Sequence, residues 1–258
     1  MQGIQKLPEE SAQLVPLKCV DPAVFQEDDS GQPPQPLCSF VLALALFYND
    51  FRDAEYGRRL LQQNAPQGKY ERRPDWGAHC GIETHFIRYF MGLLYELVEL
   101  IKDNKDYLSE PFFRTVIDRM RLPQQQDWQG IVDVSLDRSS PNRAAQIIMV
   151  AKCIRRDIAF HYVGGSVFNG YRKCFLSPGQ KNPEHEKAFL SLGDSMQKTK
   201  FYFADAAAQT YLKQYLGTDP ESFFRDTQEV FQAINFCILN LVQSFIDARG
   251  FKIEEVRK

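Results

Sequence analysis

From Ser39 onward, apolar residues recur at steps of three and four, and strand-like alternation is nearly absent. That period restricts the chain to amphipathic helices that each bury one stripe. The economical fold is an all-α, up-and-down helical bundle with additional helices. The first stripe holds Leu44, Phe47 or Tyr48 and Phe51 and runs to about Gln63, where Asn64, Pro66 and Gly68 interrupt. A polar loop to about His79 follows. Ile82, Phe86, Tyr89, Phe90, Leu93, Leu97, Leu100 and Ile101 then form a strong stripe ending near Asn104. Ser109-Glu110-Pro111 opens a shorter helix through Phe112, Val116 and Met120, which Pro123 stops. The stretch 124–135 is ambiguous between a loop and a short helix.

Ser140 reads as an N-cap with Pro141 in the first turn, and Ile147, Ala151, Ile154 and Ile158 repeat on one face to about Tyr162, where Gly164-Gly165 ends the helix. Asn182-Pro183 opens a further helical stretch, interrupted near Gly193, that runs to Gly217 with Phe201, Ala204, Ala208, Tyr211 and Tyr215 inward. Thr218-Asp219-Pro220-Glu221 has capping-box spacing. It begins a last long helix that buries Val230, Phe231, Ile234, Ile238, Leu241, Val242 and Phe245 and ends at Gly250. Residues 1–36 hold Pro, Gln and acidic residues without an apolar period and read as an irregular N-terminal arm. Residues 37–258 read as a single domain.

A hydrophobic share of 44% and a charged share of 25% suit a globular protein, and a net charge of -2 argues against a polyanion held by bulk electrostatics while leaving room for a local basic groove. Cys19, Cys38, Cys80, Cys153, Cys174 and Cys237 show no C-x-x-C spacing and read as reduced thiols. The N-terminus has no apolar run after a basic start, and the longest apolar run, Phe40 to Phe47, is short of a membrane span. The expected location is cytoplasmic, with no membrane as partner.

One segment stands out as chemistry-bearing: Arg156-Asp157-Ile158-Ala159-Phe160-His161. Asp157 and His161 are four apart and share a helix face, so the carboxylate can fix the imidazole tautomer and make it a steered base. Arg156 and His161 are five apart, about 140° around an ideal helix, and only the length of the arginine brings both to one cleft. The same residues also read as a satisfied polar cluster within an interface.

The string Arg-Asp-x-x-x-His at a helix end resembles the R-x4-6-H motif of HEPN domains, whose arginine is commonly followed by Asn, Asp or His. Arg88 to Glu96 and Phe201 to Ala206 look like segments of uncharacterised bacterial HEPN-like proteins. The resemblance implies a helical homodimer in which two motif copies face each other. It also implies a metal-independent endoribonuclease, often a toxin or antiviral effector with a neutralising protein partner. Carried onto this chain, it implies His161 as general base or acid at a ribose 2′-hydroxyl, Arg156 as phosphate clamp and Asp157 as orienting group, with RNA as substrate and a 2′,3′-cyclic phosphate as product. Such a cleavage needs proton transfer near neutral pH and stabilised charge on the phosphoryl oxygens. Some HEPN toxins carry a Tyr two places after the His; here Tyr162 follows directly and Val163 takes that position. Tyr162, Arg88 and Glu96 are kept as supporting residues.

Other constellations are plainer. His79 and Glu83 are four apart with His85 near them, but no H-E-x-x-H or E-x-x-H pattern occurs. His185 reads as a solvated first-turn residue. Arg72-Arg73 and Arg155-Arg156 read as solvated basic pairs. With no glycine-rich phosphate loop or dinucleotide fingerprint, no cofactor is expected.

Overall fold

The computed structural model describes residues 18–68, 73–159, 164–177, 187–217 and 220–255. Among the described residues the architecture is all-α: helices α1 (Gln35–Gln63), α2 (Pro74–Asp103), α3 (Pro111–Arg119), α4 (Leu122–Ser135), α5 (Arg143–Ile154), α6 (Gly164–Tyr171), α7 (Tyr202–Leu216) and α8 (Pro220–Ala248). Its β-structure is confined to a two-residue ribbon, β1 (Lys18–Cys19) antiparallel to β2 (Glu254–Glu255), and a single bridge between Ser191 and Lys200. The long helix α8 packs on α1, α3 and α4, and α2 packs on α1, α5 and α7.

Aromatic rings fill the seam between these helices. Phe90 of α2 lies 5.0 Å from Phe51 of α1 and 5.6 and 5.5 Å from Phe224 and Phe231 of α8, measured between ring centroids. Phe40, Phe113 and Trp128 tie α1 to α3 and α4. Arg58 is buried in the wall of the aromatic seam. It survives there because Nε and Nη2 each donate to Glu55 at 2.8 Å and its guanidinium lies 4.7 Å from the Phe224 ring centre. The Glu55 carboxyl is pushed up by burial, yet Arg58 and Arg59 outweigh that and hold it below its ordinary value.

The part of the arm from Lys18 to Pro34 lies against the end of α8. Arg249 donates to the carbonyls of Ala23, Val24, Gln26 and Gln32, Val24 is fully buried, and Phe25 stacks on Phe245 at 5.7 Å. One helix among the described residues, within Ser222–Ala248, is long and apolar enough to cross a membrane by length and composition, a stretch that the apolar-run criterion passed over. Half of that window is buried against the other helices.

Several local expectations are corrected. Helix α1 begins at Gln35 rather than Ser39, and α2 begins at Pro74 rather than after His79. The buried stripe of α2 runs through Ile87, Phe90, Met91, Leu94, Leu97, Val98 and Ile101, so Ile82 is exposed and Phe86, Tyr89, Leu93 and Leu100 flank the face. Pro123 does not end a helix; it sits in the first turn of α4, where a missing N–H costs nothing, and residues 124–135 are helical. The cap of α5 is Asn142, whose side chain accepts from the Ala144 N–H at 2.7 Å, rather than Ser140. Gly164 and Gly165, expected to end a helix, are themselves helical and belong to α6, while residues 160–163 lie outside the described residues. Of the helix expected from Asn182, residues 178–186 lie outside the described residues. Residues 187–201 are non-α: the Ser191–Lys200 bridge and a turn at Met196–Lys198 replace the helix, and Leu190, Leu192, Met196 and Phe201 face outward. Thr218 and Asp219 of the expected capping box also lie outside the described residues.

Candidate functional site around Arg156 and Asp157

The motif sits where α5 changes geometry. After Ile154 the helix continues as a π-helical turn, Arg155–Ala159, closing five residues on instead of four, so angles computed for an ideal α-helix do not carry across it. Turns of this kind interrupt α-helices frequently at functional sites. A second π-helical turn, Arg172–Leu176, follows α6.

Three consecutive side chains leave the first π turn in three directions. Arg155 turns to α2, where its guanidinium lies 5.3 Å from the Tyr95 ring centre and Nη2 reaches Glu96 Oε1 at 3.5 Å. Asp157 turns to α7, where the Tyr215 and Tyr211 hydroxyls donate to Oδ2 at 2.6 and 3.0 Å. Arg156 turns outward: its side chain is 72% exposed, against 14% for Asp157. One edge of its guanidinium is nevertheless fixed, because Nε donates to Asp157 Oδ1 at 2.8 Å and Nη2 to Oδ2 at 3.4 Å. Among the described residues Asp157 is the acceptor that Arg156 meets.

The electrostatics follow from these contacts. The Arg156 hydrogen bond, assisted by those from Tyr215 and Tyr211 and opposed by burial, holds the Asp157 carboxyl down from 3.8 to about 2. A carboxyl depressed in this way lends stability that is fully present above its ordinary value and is lost as the pH falls toward about 2. The Tyr215 hydroxyl is pushed up because donation to Asp157, and contact with the Tyr211 hydroxyl 3.2 Å away, favour its neutral form. The carboxylate is therefore ionised, and Tyr215 protonated, throughout the neutral range.

Of the residues singled out in the sequence, Arg156 and Asp157 are brought together, and Glu96 lies beside them through Arg155. Arg88 lies elsewhere on the same helix as Glu96. It stands eight residues before Glu96 on α2, near His85, whose pKa is lowered first by burial and then by the charges of Arg88 and Lys200. His161 and Tyr162 lie outside the described residues, as do His185 and Arg72. His79 and Glu83 approach to 3.7 Å with both side chains largely buried. Among the described residues no group of three or more His, Cys, Asp and Glu side chains is gathered for a metal ion. Arg73 pairs with Asp75.

Sequence reasoning missed Tyr211 and Tyr215 as site residues because both fell on the inward stripe of α7 and were assigned to packing. The available signal was two tyrosines four residues apart, the spacing that stacks side chains on one helix face. They are reached only because α7 lies against α6 and α2. Gly170 makes that approach close: a Cβ there would run into the carbonyl oxygen of Ala207. No protein-family model matches the chain, and no curated protein and no solved structure matches it either.

Proposed function

We propose that this chain is a HEPN-like, metal-independent endoribonuclease that cleaves RNA by attack of a 2′-hydroxyl on its own phosphodiester, acting as a homodimer with Arg156, Asp157 and His161 from both subunits along one cleft. The observation that carries the reading is the pose of Arg156. Its charge is presented to solvent while one guanidinium edge is locked on a carboxylate, which leaves three of its five N–H donors to meet a phosphoryl oxygen. An arginine so held loses little further freedom on binding phosphate. The π turn at the motif and the helical architecture support the same reading. His161 supplies the proton transfer, and the resemblance extends the reading to a cytoplasmic toxin or defence role with a neutralising protein partner.

A second reading is favoured by one specific observation. Tyr211 and Tyr215 satisfy Asp157 so fully that the cluster can act as a structural joint between α5 and α7 in a non-catalytic binding or scaffold dimer. Arg156→Ala separates the two. On the ribonuclease reading it lowers RNA cleavage by about 10²-fold or more while melting stays nearly unchanged, because a solvent-exposed ion pair contributes little to stability. On the structural reading no RNA cleavage is present to be lost. Cleavage assays and thermal melts of both proteins, run side by side, decide it.

A further inference from the structure

We infer that Tyr215, with Tyr211 behind it, is a positioning residue for the phosphate clamp: the two hydroxyls grip Asp157 so that Asp157 holds Arg156 at a fixed angle to the substrate. This rests on the ribonuclease reading and adds to it two residues of α7, 54 and 58 positions after Asp157 in the chain.

The geometry runs in one line. Tyr215 donates to Asp157 Oδ2 at 2.6 Å, Tyr211 donates to the same oxygen at 3.0 Å, and the two rings meet edge-on at 5.5 Å between centroids. On the other side of the carboxylate, Oδ1 takes Arg156 Nε at 2.8 Å. A carboxylate held by one flexible neighbour can swing about its own side-chain torsion, and the arginine on it would swing too. Two rigid phenols arriving from a different helix remove that freedom. The tyrosines are anchored in turn: Tyr211 is buried, and α7 is held against α6 through Gly170. Arg155 steadies the same π turn from the α2 side through Tyr95 and Glu96. Neither tyrosine touches the phosphate on this account. Their contribution passes through Asp157 to Arg156.

A double-mutant cycle on the full-length chain tests this, because residues acting through one another give non-additive effects. RNA cleavage is measured for wild type, Tyr215→Phe, Arg156→Ala and the double variant, with thermal melts to confirm folding and Tyr211→Phe as a second probe that removes only a hydroxyl. The expected result is a roughly tenfold fall in kcat for Tyr215→Phe, a smaller fall for Tyr211→Phe, and no further fall when Tyr215→Phe is added to Arg156→Ala. Wild-type cleavage in Tyr215→Phe, or an equal loss in the presence and absence of Arg156, overturns the inference while leaving the ribonuclease reading intact. Absence of cleavage by the wild type, or full cleavage by Arg156→Ala, overturns that reading and the inference with it.

Discussion

His161→Ala is expected to abolish RNA cleavage, a loss on the order of 10²–10⁴-fold, while helicity and oligomer mass stay as in the wild type. Attack by a 2′-oxygen requires removal of its proton and delivery of one to the departing 5′-oxygen. Among side chains of ordinary pKa, the imidazole is the one that can do both near neutral pH. Arg156 cannot replace it, since a guanidinium keeps its protons at any pH the protein survives. Asp157 is also a poor substitute, because Arg156 and the two tyrosines stabilise its charged form and make it a weak base. The effect should therefore fall on catalysis and spare RNA binding. Rates and binding measured on the same preparations check this, and unaltered cleavage by the variant would remove His161 from the chemistry.

Phe90→Ala carries the largest expected effect on stability, about 3–5 kcal/mol. The ring is fully buried and sits among Phe51, Phe224 and Phe231, so its removal leaves a cavity bounded by rigid aromatics from α1 and α8 that cannot easily close on it. For a chain of this size that corresponds to a fall in Tm of about 6–20 °C. Exposed Phe236, on the outer side of α8, is the contrasting control: Phe236→Ala should change stability by about 0.5 kcal/mol or less.

The helical architecture was legible in the sequence because it is written in a local period. The last helix shows this best: of the seven residues expected inward, Val230, Phe231, Ile234, Ile238, Leu241 and Phe245 are buried and Val242 is half-buried. Helix α2 was read with its buried face turned by about one position. Its flanks are as apolar as its centre, so the period was clear and its phase was not. The segment 187–201 failed for a different reason. Phe201 was read as the start of an inward stripe, but a local backbone bridge between Ser191 and Lys200 takes the place of the helix there, and Phe201 is exposed.

The site was legible by half. Arg156 and Asp157 could be named from spacing alone, but the π turn that separates their directions has no counterpart in the residue pattern, and it removes the basis for placing residues by α-helical angles. The i, i+4 spacing of Tyr211 and Tyr215 was visible, but their contact with Asp157, 54 and 58 positions away in the chain, was not. Asp157 was read as a partner for His161, which lies outside the described residues; among the described residues its partners are Arg156 and the two tyrosines.

The most direct measurement is the chemistry of the RNA ends left by the intact protein in the presence of EDTA. Attack by the 2′-hydroxyl should leave 2′,3′-cyclic phosphates on one side of each cut and 5′-hydroxyls on the other, at a rate that the chelator does not change. Ends bearing 3′-hydroxyl and 5′-phosphate, or cleavage that stops when EDTA is added, would contradict it.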